Sequence, residues 1–219
     1  MTQIKFMSPP RNSDMTPDDS RPLAELDASS SHDEQMRSRL MDAAVDCVHR
    51  MGISKVGMRH IAEAASLARQ TSYKYYSNKY DVLADAFRRE GLRYSEQLAR
   101  HIESIEDVEK QFVEAFLFVV ETLPKNPVLM LLVEPEDGFL AHLGVSYHPF
   151  GLFGQLGFRR IFEAHPTLAA QADDISEYWA RNALSFLTLS GTRERTRAEL
   201  IEYIRYRLLP GLHLDELLR

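Results

Sequence analysis

Between Ala65 and Leu83 the chain reads ASLARQTSYKYYSNKYDVL, and those side chains suit the surface of a DNA duplex. Arg69 offers a fork of N–H donors that matches the guanine edge, and Gln70 an amide that pairs with adenine. Tyr73, Tyr75 and Tyr76 carry hydroxyls for phosphates and rings that lie against sugars or thymine methyl groups. Lys74 and Lys79 supply charge to the backbone. Three tyrosines beside two cations fit a buried helix badly. On spacing alone, however, an ordinary core or interface helix is the commoner reading.

No other constellation competes as chemistry. The eight histidines are scattered, and none pairs with another at metal-ligand spacing on one helix face, so no metal is expected. Glu134, Glu136 and Asp137 read as a solvated loop rather than a catalytic cluster. GLFGQLG, at 151–157, has three glycines but no preceding strand, so a phosphate loop is not expected. The single cysteine, Cys47, lies on an apolar helix face and permits no internal disulfide. We therefore expect neither an enzyme nor a bound cofactor. His60, near the reading segment, is either a phosphate contact or simply exposed.

Charge supports the DNA reading only when the chain is divided. The net charge is −6. From Arg37 to Lys79, eight Lys/Arg face three Asp/Glu, a local +5 that leaves −11 on the remainder. A basic module on an acidic body lets a DNA reader keep an acidic pI.

Positioning such a segment is the work of helices. Residues 1–33 are rich in Pro, Ser and Asp and are expected to be a disordered arm. Beyond them the helical period dominates and strand alternation is missing. Leu40, Ala44, Cys47, Val48 and Met51 share a face of a first helix, ended by Gly52. Met58, Ile61, Ala62 and Ala65 share a face of a short second one. Ser66-Leu67-Ala68 is then a joint, and Arg69–Tyr76 a third helix too short to stand alone. Asn78 is placed to cap a long fourth helix that carries Leu83, Phe87, Tyr94 and Leu98 inward. A fifth helix spans about 105–123, and Pro127 opens a sixth. Two strong helices close the chain. One covers about 172–189, and the other starts at a capping box, Thr196 with Glu199. No apolar run reaches the roughly 18–20 residues of a membrane span, and the start lacks a secretory core, so the expected location is cytoplasmic. The expected fold is all-α: a helix-turn-helix domain at 34–83 and a larger helical domain at 84–219.

Two short helices with a basic, aromatic second member make the helix-turn-helix arrangement. The order of residues in MRHIAEAASLARQTSYKYYSNKYDVL is more specific: it resembles the DNA-binding segment of TetR-family transcriptional regulators. The matching positions are Ile61-Ala62, Ala65 to Ala68, Thr71, Tyr73, Tyr76, Lys79 and Val82-Leu83. The resemblance implies that Arg69, Gln70, Thr71, Lys74 and Tyr75 face bases or the groove wall, that Tyr73 and Lys79 hold phosphates, and that Arg59 reaches the groove edge. Three positions depart from the family pattern. Gly57 replaces a hydroxyl residue, Ser66 the usual turn glycine, and Ser72 an aliphatic residue.

Beyond this segment the expectations concern the body. Phe112, Phe116, Met130, Phe139, Phe150, Phe153, Phe158 and Trp179 are candidates for a pocket holding a small, mostly apolar effector, with His142, Tyr147 or His148 as polar anchor. Packing of these aromatics on one another is the alternative. Ile175, Trp179, Phe186, Ile201, Ile204 and Leu208 form a stripe expected to pair two copies in a four-helix contact. The function so implied is that of a homodimeric repressor on a palindromic operator, released by the effector. A helical enzyme or carrier using the aromatics, or a DNA-binding regulator without an effector, are the rival readings.

Overall fold

The computed structural model describes residues 23–132, 154–189 and 194–218, with side-chain environments from residue 31 onward. All regular structure in them is helical. Helix α1 spans Leu23–Met51, α2 Met58–Ala64 and α3 Arg69–Tyr75. Long α4, Lys79–Ile102, leads from this head into a body built of α5 Val108–Thr122, α6 Arg159–Ala164, α7 Pro166–Ala169, α8 Ala172–Thr188, α9 Arg197–Tyr203 and α10 Leu214–Leu217.

Helix α1 begins eleven residues earlier than the sequence suggests. Elongating an existing helix avoids the nucleation cost, and Leu, Ala and Glu within 23–28 are strong helix formers. A tertiary tie also holds the extension, because the Tyr75 hydroxyl donates to Asp33 Oδ1 at 3.1 Å. Residues 1–22 of the expected arm lie outside the described residues.

The head closes around Leu40, Ala44, Cys47, Val48, Met58, Ile61, Ala62 and Ala65, all buried. Met51 is half-buried beside them. Arg89 of α4 clamps α1 from the other side, with Nη2 2.6 Å from Asp42 Oδ1 and Nη1 3.3 Å from Ser38 Oγ. Leu83, Phe87 and Leu98 of α4 point inward as expected, whereas Tyr94 is half-buried.

In the body, α5 starts at the Asp107 cap, whose carboxylate accepts from the Lys110 N–H at 2.8 Å. It ends at Thr122, and Pro124 sits in a tight turn just beyond. Pro127 does not open a full helix. Asn126 Oδ1 accepts from the Val128 and Leu129 N–H groups, both at 3.1 Å, and only a short 3-10 turn, Leu129–Leu132, follows. A helical stretch at 154–157 runs close under α4. A Cβ on Gly157 would stand 2.8 Å from Leu98 Cδ2. The capping box at Thr196 forms as expected, with Glu199 Oε2 accepting from the Thr196 N–H at 2.9 Å. After Tyr203 the helix widens over Ile204–Leu208 and tightens again over Leu209–Leu212.

Candidate nucleic-acid interface

Helix α3 has seven residues and depends on its neighbours for stability. Its approach is set by the turn after α2. The Ser66 N–H bonds the Glu63 carbonyl at 3.0 Å, and the Leu67 N–H bonds the Ala62 carbonyl at 2.9 Å. This is a helix C-terminal motif whose pivot adopts a left-handed conformation. Ser66 occupies the pivot with φ of 54°, the conformation that makes glycine the usual residue there. Serine bears the steric penalty of that geometry, about 1 kcal/mol, and keeps the turn. From α1, Arg39 Nη2 donates to the Ala65 carbonyl at 2.7 Å and closes the end of α2.

The two other departures have local explanations. Ser72 is fully buried, and its Oγ donates to the Arg69 carbonyl at 2.7 Å, so the hydroxyl is satisfied within the helix. At Gly57 the missing hydroxyl is offset in part by His60, whose Nδ1 accepts from the Gly57 N–H at 3.2 Å. That contact places His60 as a capping side chain. The Cys47 thiol is buried, bonds the His60 carbonyl at 3.6 Å and has its pKa pushed up by burial, as befits an inert core residue.

The seven residues of α3 divide cleanly by face. Arg69, Gln70, Tyr73 and Lys74 are exposed, Thr71 and Tyr75 half-buried, and Ser72 buried. The first four form one outward ridge. Arg59, on the first turn of α2, is also exposed and has no hydrogen-bond or ion-pair partner among the described residues. Tyr75 departs from the groove-facing position expected of it. Its hydroxyl turns back to Asp33, and its pKa is raised by desolvation and by that carboxylate. Lys79 is engaged as well. Its ammonium donates to the Ile53 carbonyl at 3.1 Å and lies 5.0 Å from the Tyr80 ring centroid. It opens α4 immediately after Asn78, whose Oδ1 accepts from the Tyr80 and Asp81 N–H groups at 2.8 and 3.2 Å.

Tyr76 closes α3 from inside, under the Arg37 guanidinium at 5.2 Å. Burial, reinforced by Asp85, pushes its pKa up to about 12. Burial does the same for Tyr94, to about 12, although the hydrogen bond with Thr122 Oγ1 at 2.7 Å acts the other way. Both values exceed the ordinary tyrosine value of about 10, so the unfolded chain ionises first. The contribution to stability is intact below about pH 10 and is lost as pH rises from about 10 to 12. Urea midpoints measured across that window should fall, and the fall should be shallower in Tyr94→Phe than in the unaltered chain.

The body's candidate residues separate in a way the sequence did not foresee. Phe112, Phe116 and Trp179 are buried and Met130 is half-buried, while Phe139, Phe150 and Phe153 lie outside the described residues. So do His142, Tyr147, His148 and the carboxylates at 134–137. Phe158, of the same aromatic set, is the hub. Its ring centroid is 4.8 Å from Phe112 and 5.0 Å from Trp179. Phe116 meets Trp179 at 5.8 Å and Phe186 at 5.2 Å, both edge-on. Trp179 Nε1 donates to the Phe112 carbonyl at 3.4 Å. Where Phe116 and Trp179 meet Ile204 and Leu212, the free space is only about 10 Å³. Within the described residues these aromatics pack on one another.

Three of the six residues in the expected pairing stripe turn inward. Ile175, Trp179 and Ile204 are buried inside the protomer, Ile204 to 1% exposure. Phe186, Ile201 and Leu208 are half-buried. A helical period marks an apolar face but not whether its partner is another element of the same chain or a second copy. The outward apolar residues of this region are instead Leu189 and Tyr206, 67% and 75% exposed.

A helix-turn-helix head with an exposed basic and aromatic ridge, joined to a helical body, defines a DNA-binding transcriptional regulator. Residues 40–86 match the family model described as bacterial regulatory proteins, tetR family. The chain is similar to the HTH-type transcriptional repressor KstR of Rhodococcus jostii, with 27% identity over 184 residues, 81% of this chain and 86% of that protein. It also matches KstR of Mycolicibacterium smegmatis, with 34% identity over 68 residues, 31% of this chain and 33% of that one. Its fold resembles the TetR family repressor AlkX of Dietzia sp., which is implicated in biodegradation of n-alkanes. That similarity has a TM-score of 0.54 and 19% identity, covering 81% of this chain and 95% of AlkX. Residues 40–86 thus form a DNA-binding head of the tetR-family type. Among the described residues no helix is long and apolar enough to cross a membrane, and no group of His, Cys, Asp or Glu could hold a metal ion.

Proposed function

We propose that the chain acts as a homodimeric repressor, reading a palindromic operator with residues 34–83 and controlling that grip through residues 84–219. The observation that carries the reading is the outward ridge of α3, Arg69, Gln70, Tyr73 and Lys74, with Arg59 of α2 exposed and unpaired among the described residues. Arg69 and Gln70 read base edges. Tyr73, Lys74, Arg59 and Lys79 hold the backbone, and Thr71 lies at the wall of the groove. Tyr75, tied to Asp33, steadies the helix and does not enter the groove. Two such heads in successive major grooves stand about 34–36 Å apart. A second copy packs on the flank of α8 where Ala180, Leu184 and Leu187 remain half-exposed, next to Leu189 and Tyr206.

The test is selection of bound sites from random duplex DNA, followed by salt titration on the best one. Lys74→Ala and Arg59→Ala should each weaken specific and nonspecific duplexes alike and lower the log–log salt slope by about one. Gln70→Ala should blunt sequence preference at a cost of about 1–3 kcal/mol on the best site. A flat salt response in the unaltered chain would overturn the DNA reading.

For the signal, the apolar lining of the body favours a small, mostly apolar effector that binds the state with wrongly spaced heads. The close packing around Phe158 favours a second reading, a regulator that takes no small ligand. A panel of hydrophobic metabolites, scored in the same samples for thermal stabilisation and for loss of operator binding, separates the two.

A further inference from the structure

We propose that Tyr73 is a positioning residue for Arg69, so that base reading depends on docking to the phosphate backbone. The proposal rests on the reading above, in which Arg69 contacts a base edge. Arg69 is held at both ends in the free protein. Its backbone carbonyl accepts from the buried Ser72 hydroxyl at 2.7 Å. Its guanidinium lies 5.6 Å from the Tyr73 ring centroid, and Nη2 donates to the Tyr73 hydroxyl oxygen at 3.4 Å. The two residues are four apart, which places them one above the other on the outward ridge. An arginine loses much rotamer freedom when it is fixed on a base edge. A ring beneath the guanidinium and an acceptor at its tip restrict that freedom before DNA arrives.

The hydroxyl has a second use. Its oxygen accepts from Arg69, and its one proton remains available to donate. Tyr73 is 43% exposed, so the hydroxyl is free to turn that proton to a phosphate oxygen. One hydroxyl then joins the phosphate to the guanidinium and sets the height at which Arg69 meets the base. A phosphate contact alone would add affinity on every sequence. A contact that also holds Arg69 adds discrimination at one base pair.

A double-mutant cycle on the full chain tests this, using the selected duplex and copies of it changed at single base pairs. The pair read by Arg69 is the one at which Arg69→Ala relaxes preference, by roughly tenfold. Tyr73→Phe keeps the ring and removes the hydroxyl. It should lower discrimination at that same pair by about three- to tenfold, and change it less than about twofold when Arg69 is already alanine. Arg69→Lys, which keeps the charge and loses the fork, should make discrimination insensitive to Tyr73→Phe as well. Thermal melts of all five variants control for folding, since a merely structural loss would not concentrate at one base pair. Equal weakening of all duplexes by Tyr73→Phe, in both backgrounds, overturns the coupling and leaves Tyr73 a phosphate contact only. If Arg69→Ala relaxes no pair although the unaltered chain binds specifically, both the coupling and the base-reading role of Arg69 fail. If the unaltered chain binds no duplex, the proposed function fails first.

Discussion

Phe158→Ala is expected to destabilise the chain by about 3–5 kcal/mol, the range for deleting a fully enclosed aromatic ring. Phe158 has no exposed surface and touches Phe112, Trp179 and Phe162, with centroids at 4.8, 5.0 and 6.2 Å. It therefore joins α5, α6 and α8 at one point. Close-packed rings surround the ring that would be lost, and Trp179 is pinned by its hydrogen bond to Phe112. Such a site collapses poorly, so most of the cavity cost should remain. Phe162→Ala, at the edge of the same cluster, should cost clearly less. Urea unfolding of the two variants checks the order, and equal costs would mean that Phe158 is not the hub. Addition of a small apolar compound is a second measurement, because a dry apolar cavity of this kind binds one.

The second large effect is at Ile204. Ile204→Glu is expected to prevent folding of the body rather than to separate two folded copies. Residue 204 is 1% exposed, and a carboxylate placed there would be buried among Phe116, Trp179, Leu209 and Leu212, a cost of several kcal/mol. Tyr206→Glu is the control. At 75% exposure, this substitution should leave the thermal midpoint nearly unchanged while weakening any contact made through that face. Circular dichroism and sedimentation on both variants distinguish the outcomes. A well-folded monomeric Ile204→Glu would show that the residue faces a partner.

The same contrast shows what the sequence makes legible. Local signals identify elements well. The Asn78 cap, the Thr196–Glu199 box and the aliphatic face Leu40-Ala44-Val48 depend on residues within a few positions, and each is realised. The head was legible in addition because its turn, aromatic and lysine positions fall in family register. Long-range choices were hidden. Nothing near Tyr75 announces Asp33, 42 residues away. Nor does the spacing of Ile175, Trp179 and Ile204 reveal that α5 covers them instead of a second copy. Pro127 was misread because a proline marks where a helix can begin but not how far it runs.

The uninterrupted α4 has a mechanical consequence. Its 24 residues make a rod of about 36 Å at 1.5 Å per residue. Arg89 fastens α1 to it near its middle, and Leu98 bears on Gly157 towards the body end. The rod is a lever with a long outer arm. A tilt of only about 5° at the body end would carry Lys79 through roughly 3 Å, given that length. In a two-fold pair the displacements add, so the separation of the heads would change by roughly 6 Å, half the width of a major groove. A rearrangement in the body no larger than a side-chain repacking would thereby be converted into a misfit on the scale of the DNA groove.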